Sequence, residues 1–191
     1  ISPAAWGEAA SGDFILPALE PQLSSDGNSL HYGANPVVIV DRPKPAGELR
    51  RVPPPAAALA AQPDAAAATF TITYVPNGGA DLWGQPCFTF PEEAKAAFNA
   101  AAAVWGSLLQ SPVPITISAC WANLGSSSIL GYSGGGLLSK DFSGAPLANT
   151  WYSASLANAL HGSDIYPANA DMHITYNLNF SWYFGTDGNP P

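Results

Sequence analysis

The chain has 191 residues, of which 47% are hydrophobic and 10% are charged, and its formal net charge is −8. Soluble domains average about 25% charged residues, so this surface must be built largely from uncharged polar side chains. Only six residues are Lys or Arg. That argues against binding to nucleic acid or to an anionic membrane, because both need clustered cations. No apolar run approaches the roughly 20 residues that span a bilayer.

Residues 1–68 form a region that we predict to be a long extended arm. Ten of these residues are proline, which interrupts helices and central strands. Residues 53–68 are of low complexity and are typical of a polyproline II segment that runs into a flexible or weakly helical tract. Two apolar pieces of the arm have the character of strands that add to a sheet edge. They consist of Phe14, Ile15 and Leu16, and of Val37, Val38, Ile39 and Val40.

Residues 69–191 have the pattern of one globular domain, which we predict to be of the α+β class. Residues 69–75 alternate polar and apolar side chains, as a strand does. A helix is predicted from Pro91, with Thr89 as its cap. Its apolar residues recur on one face as far as Leu109, and this face predicts that Trp105 is buried. Residues 113–121 predict a second strand, with its prolines at the start or on an edge.

The rest of the domain predicts a short strand at Ile129-Leu130, a flexible glycine loop at 134–136 and a second helix. This helix is expected over 151–160, with Thr150 as its cap and His161-Gly162 as its end. Residues 172–178 predict a third good strand. The fold is therefore expected to be a small mixed sheet with one backing helix and a second short helix, behind the arm.

The two cysteines, Cys87 and Cys120, predict one disulfide and with it an oxidising, extracellular compartment. The alternative is a pair of buried free thiols. A zinc site is disfavoured because no CxxC pair and no nearby Cys/His partner exists.

Four residues are candidates for a metal site, although a structural role as caps, turns and hydrogen-bonded side chains is the stronger interpretation. They are His161, Asp164, Asp171 and His173. Asp171 and His173 are two apart, so a strand would place both on one face. The sequence contains neither an HExxH motif nor a GxSxG nucleophile elbow, and it predicts no catalytic residue.

Several pieces of the domain together resemble the region that precedes the zinc helix in secreted bacterial zinc-metallopeptidase-like proteins. The resemblance covers residues 69–189 and rests on the segments 96–109, 111–115, 150–160, 171–177 and 182–188. It implies a strand, a backing helix, further strands and an edge strand of the kind that pairs with extended substrate. In that family an HExxH helix that binds zinc would come next, and no such motif lies in this sequence, which ends at Pro191.

The resemblance therefore predicts a scaffold with an apolar face that other polypeptide must cover. It predicts bound zinc only if a downstream HExxH segment is present. One function that fits is the N-terminal part of a secreted zinc-metallopeptidase-like precursor. The alternative is a non-catalytic extracellular subunit, filamentous or adhesive, that self-assembles through its arm. The expected partner is accordingly either a downstream polypeptide or a second copy.

Overall fold

A computed structural model describes residues 22–31, 37–40 and 66–186, and it confirms the α+β class. The strands are β1 Gln22–Leu23, β2 Ser29–His31, β3 Val37–Val40, β4 Phe70–Tyr74, β5 Cys87–Phe88, β6 Ile115–Ala122, β7 Ile129–Gly135, β8 Leu137–Ser139, β9 Tyr152–Ser153 and β10 Met172–Asn177; the helices are α1 Glu92–Leu108 and α2 Ala154–His161. No helix in these three ranges is both long and apolar enough to cross a membrane.

The main sheet is mixed and has the strand order β3-β7-β10-β6-β4, with β5 paired to the end of β6. Strands β4, β6 and β10 are parallel, whereas β7 and β3 run antiparallel to their neighbours. Parallel neighbours need a long crossover, and α1 lies in the one between β4 and β6. A smaller sheet has the order β1-β2-β8-β9.

Side chains pack on both faces of the main sheet, and β6 contributes alternate residues to two separate cores. Cys120 and Ala122 belong to a core that includes Trp83 and Tyr132. On the other face, Trp121 belongs to an aromatic core on the α1 side. The near-continuous burial of β6 follows from its position inside the sheet.

Helix α1 packs on the sheet through small residues, and the prediction that Trp105 is buried is wrong. The buried positions of the helix are Ala94, Ala102 and Gly106. A Cβ on Gly106 would lie 2.7 Å from the carbonyl oxygen of Ala68, so only glycine allows this close approach. Trp105 is 58% exposed, although it lies near the last turn of the same helix.

Three local predictions are corrected by strand pairing and by backbone geometry. Residues 134 and 135 are the end of β7 and not a flexible loop, because they pair with β10. Helix α2 begins at Ala154 and not at residue 151, because β9 pairs with β8 just before it. The N-cap of α1 is Pro91, which makes no side-chain cap, instead of Thr89. The predicted end of α2 is confirmed, with Gly162 at φ 83°.

The described parts of the arm add strands to both sheets. Strand β3 pairs antiparallel with β7, and β2 pairs antiparallel with β8. The pairing of Val37, Val38, Ile39 and Val40 is therefore made within the chain. The other candidate strand, Phe14, Ile15 and Leu16, lies outside the described residues.

The predicted disulfide between Cys87 and Cys120 is confirmed. Their Cα atoms are 5.4 Å apart, and both residues are buried in the core beside Trp83. The bond joins β5 to β6 across 33 residues of sequence.

Replacing both cysteines by alanine should lower the free energy of unfolding by roughly 3–4 kcal/mol, because the unfolded chain loses a constraint on a closed loop of this length. Urea unfolding of the double variant and of the wild type measures the difference. A loss below about 1 kcal/mol would show that the cross-link contributes little to stability.

Candidate functional site

The α1 side of the main sheet carries a cluster of aromatic rings. Phe90 lies beneath α1, with its ring centroid 5.1 Å from that of Trp121 and 6.1 Å from that of Tyr176. Phe98 of α1 lies 5.7 Å from Tyr176. Burial raises the pKa of the Tyr176 phenol, so this group stays neutral. The cluster is therefore an apolar base on which further side chains can pack.

The segment after β10 folds back over this cluster. The indole Nε1 of Trp182 donates a hydrogen bond of 2.8 Å to the carbonyl oxygen of Asn177. This bond places the Trp182 ring 5.5 Å from Tyr176 and 6.2 Å from Trp121. The ring of Phe184 lies 6.4 Å from Trp121. Two aromatic side chains thus cover part of the sheet that α1 does not reach.

An apolar depression lies on each side of Trp182. The one toward α1 has a volume of about 170 Å³ and is bounded by Ala97, Phe98, Ala101 and Phe184. The one toward β7 has a volume of about 200 Å³, and its side-chain lining includes Leu130, Ile174 and Tyr176. Both are open to solvent.

The first depression continues into the outer side of α1. Residues 97, 101, 104 and 108 are three or four apart and therefore lie along one side of the helix. Val104 is 60% exposed and Leu108 is 49% exposed. The sequence has no charged residue between positions 96 and 139, so the stripe from residue 97 to residue 108 is uncharged. We call the two depressions and this stripe of α1 the open apolar surface.

The opposite face of the sheet carries a hydrogen-bond network around Asp81. The Asp81 carboxylate accepts hydrogen bonds from the backbone N–H groups of Trp83 and Gln85 at 2.9 Å each. It also accepts bonds from the hydroxyls of Thr175, at 2.6 Å, and of Tyr132. Burial and the bond to Asp81 raise the pKa of Tyr132, so the phenol remains a donor. These contacts indicate a structural role for Asp81.

Asn177 at the end of β10 is fully buried on the same face. Its Nδ2 donates to the carbonyl oxygens of Ser126, at 2.6 Å, and Ile129, at 2.7 Å. Its Oδ1 accepts from the backbone N–H groups of Leu124 and Asn179. All four polar positions of the amide are used, which fixes the loop before β7 against β10.

The four metal candidates do not form one cluster in the structure. Asp164 and Asp171 approach each other, and the Asn158 amide donates to both, at 3.2 and 3.0 Å. The ring of His161 is exposed and pairs its Nδ1 with the carbonyl oxygen of Ser143 at 2.9 Å. His173 instead lies beside Trp83, with their ring centroids 6.3 Å apart. Across the described ranges, no group of three or more His, Cys, Asp or Glu side chains is arranged to hold a metal ion.

Asp171 has a structural role that explains its burial. Its Oδ2 accepts from the backbone N–H of Thr116 at 2.8 Å and from the Thr116 hydroxyl at 3.0 Å. These bonds join the start of β10 to β6. Burial raises the pKa of the Asp171 carboxyl, and the bonds from Thr116 oppose that rise.

Lowering the pH from 7 to 5 should destabilise the protein through His173. Burial lowers the pKa of this imidazole, and the charge of Asp81 only partly offsets the effect. The unfolded chain then binds the proton more readily than the folded chain, so stability falls as pH drops through the ordinary histidine value of about 6.5. Protonation of Asp171 changes the stability in the opposite direction, because its pKa is raised in the folded state and the folded chain therefore binds the proton more readily as the pH falls.

The measurement is urea unfolding of the wild type and of His173→Gln between pH 8 and 5, where the variant should show the shallower decline. His161→Gln is the matched control for the loss of one imidazole. If His161→Gln flattens the profile and His173→Gln does not, the attribution to His173 is wrong.

Sequence reasoning missed the residues that shape the open apolar surface. Leu130, Ile174 and Trp182 come from β7, β10 and the segment after β10, and no local pattern places them together. The aromatic content of residues 180–184 was the one available signal. Comparison of the chain with models of protein families, with curated proteins and with solved structures found no match.

Proposed function

We propose that this chain is the N-terminal scaffold of a secreted zinc-metallopeptidase-like precursor and has no complete active site of its own. The observation that carries the proposal is the open apolar surface on the α1 side of the sheet. An uncharged surface that includes exposed Val104 and Leu108 is a liability for a free soluble protein unless something covers it.

The strand arrangement supports the same proposal. The resemblance implies a strand, a backing helix, further strands and an edge strand that pairs with extended polypeptide. Strand β4, helix α1, and strands β6 and β10 supply the first three features, and β7 runs antiparallel near the sheet edge. The likeness is one of architecture, since the parallel core with an antiparallel strand beside it occurs in many α/β proteins.

The open apolar surface is best suited to packing against an amphipathic helix. The depression between Trp182 and β7 has Leu130 and Ile174 at its base and the Trp182 ring along one side. An α-helix with its side chains is about 10 Å across, and an apolar stripe on it would bury these residues. In the proposed precursor this helix would carry the HExxH motif, whose two histidines bind zinc.

The chain's own residues would support such a site without ligating the metal. The hydrogen bond from Trp182 to the Asn177 carbonyl holds the Trp182 ring in position. The hydrogen bonds of the Asn177 side chain hold the end of β10. The disulfide supports an oxidising compartment and hence secretion.

Reading the coding sequence beyond the codon for Pro191 tests the proposal. We expect the reading frame to continue into a helix with HExxH, and we expect the longer protein to bind one zinc ion and cleave peptides. The same protein with Leu130→Asp should lose stability, because the charge would be buried under the helix. A stop codon directly after Pro191 would overturn the proposal.

Self-association is a second candidate function, favoured by a different observation. Arm strands β2 and β3 cover the β8 and β7 edge by strand pairing, which is the contact that assembly through the arm would use. Native mass measured against protein concentration tests this candidate. Multiples of 19.7 kDa support it, and a single 19.7 kDa species at every concentration contradicts it.

A further inference from the structure

The arm follows one long edge of the body. In the pairs Ser29↔Ser139 and His31↔Leu137 the arm runs antiparallel to β8. In the pairs Val37↔Ser133 and Val40↔Ile129 it continues antiparallel to β7. Strands β2 and β3 therefore both run antiparallel to their partners β8 and β7, in nearly the same register, and each pairs with a strand of a different sheet.

This edge has none of the features that protect exposed strands. Natural edges are blunted by charged side chains, by proline or by a covering segment. Residues 129–139 contain no charged residue and no proline, and four of them are glycine. Gly131 is also required by the fold, because a Cβ there would lie 2.4 Å from the carbonyl oxygen of Thr175. The edge thus depends on an arm to satisfy its backbone groups.

Side-chain and backbone contacts fix the arm in register. The hydroxyl of Tyr166 lies 2.5 Å from the Ser29 hydroxyl and donates to the Ser139 hydroxyl at 3.2 Å. The backbone N–H of Lys140 donates to the carbonyl oxygen of Asn28 at 3.0 Å. Each contact joins residues 28–29 to the body, so an arm from any copy of the chain would make the same contacts.

The chain length between arm and body permits such an exchange. Twenty-five residues, 41–65, connect β3 to the next described residue. A segment of that length reaches about 80 Å when extended, which exceeds the diameter of a domain of this size. Covalent connectivity therefore does not confine the arm to its own body.

We propose that the arm exchanges between copies, so that β2 and β3 of one chain pair with β8 and β7 of a second chain, and the reverse. Reciprocal exchange closes a two-fold dimer and pairs β7 and β8 of both copies with an arm, whereas one-way donation would leave β7 and β8 of the last subunit without one. Since both arrangements contain the same hydrogen bonds, the dimer fraction rises with protein concentration. The inference rests on self-association, the second candidate function, and not on the peptidase-like proposal.

Cysteine cross-linking of the full chain tests the exchange. Residues 37 and 133 are directly opposite in the β3–β7 ladder, where Cα atoms lie about 4.5–5.5 Å apart, within reach of a disulfide. The variants Val37→Cys and Ser133→Cys are mixed, refolded over a series of concentrations and oxidised. The control mixture pairs Val37→Cys with Ser127→Cys, an exposed loop position outside the register of β3.

Exchange predicts a disulfide-linked heterodimer in the first mixture, severalfold more abundant than in the control and rising with concentration. The double variant Val37→Cys/Ser133→Cys should then give linked dimers as well as internally linked monomers. Internal links alone at every concentration would overturn the proposal. Multimers by native mass without the 37–133 heterodimer would also overturn it, while leaving self-association by another surface intact.

Discussion

Helix α1 approaches the backbone at Ala68, just before β4, so closely that only glycine fits at position 106, and the placement of the helix on the sheet depends on that constraint. Ala94, Ala102 and Gly106 occupy the contact, and the Ala68 carbonyl leaves no room for a Cβ at position 106. The large apolar residues of the helix must then lie elsewhere. Phe98 packs on Tyr176, whereas Val104, Trp105 and Leu108 face outward.

The central strand β10 links this apolar side to a polar one. Thr175 and Asn177 point to the face where Asp81 and the loop before β7 are hydrogen-bonded, and Tyr176 points to the aromatic cluster. The hydrogen bond from Trp182 to the Asn177 carbonyl then positions the Trp182 ring between the two depressions. A polar network on one face thus determines the shape of the apolar surface on the other, and a covering helix would find that surface already formed.

Local pattern predicted the elements that depend on nearby residues. The strand at Phe70–Tyr74, the helix that begins near Pro91, the strand at Met172–Asn177 and the disulfide were all expected and are present. The burial of Trp105 was predicted wrongly, because periodicity identifies the apolar side of a helix but not which of its residues the sheet covers. The Asp81 network was not predictable, since Asp81 and Thr175 are 94 residues apart.

The pairing of strands at the sheet edges could also be predicted only in part from the sequence. The β-branched run Val37–Val40 was recognised as a strand that adds to an edge, but its acceptor was not. The glycines at 134 and 135 favoured a loop by composition, and they form part of β7 because β10 pairs with them. Pairing partners decide the structure of such residues, and a single sequence does not name those partners.

Binding of the neutral apolar dye Nile red to the natively folded chain measures the open apolar surface most directly. The account predicts saturable fluorescence that decreases in Leu130→Ser, because Leu130 forms the floor beside Trp182. Leu82→Ser, which removes a partly exposed leucine from the loop after β4, should leave the signal unchanged. Absence of dye binding, or an equal loss in both variants, would contradict the claim that this side of the sheet is open.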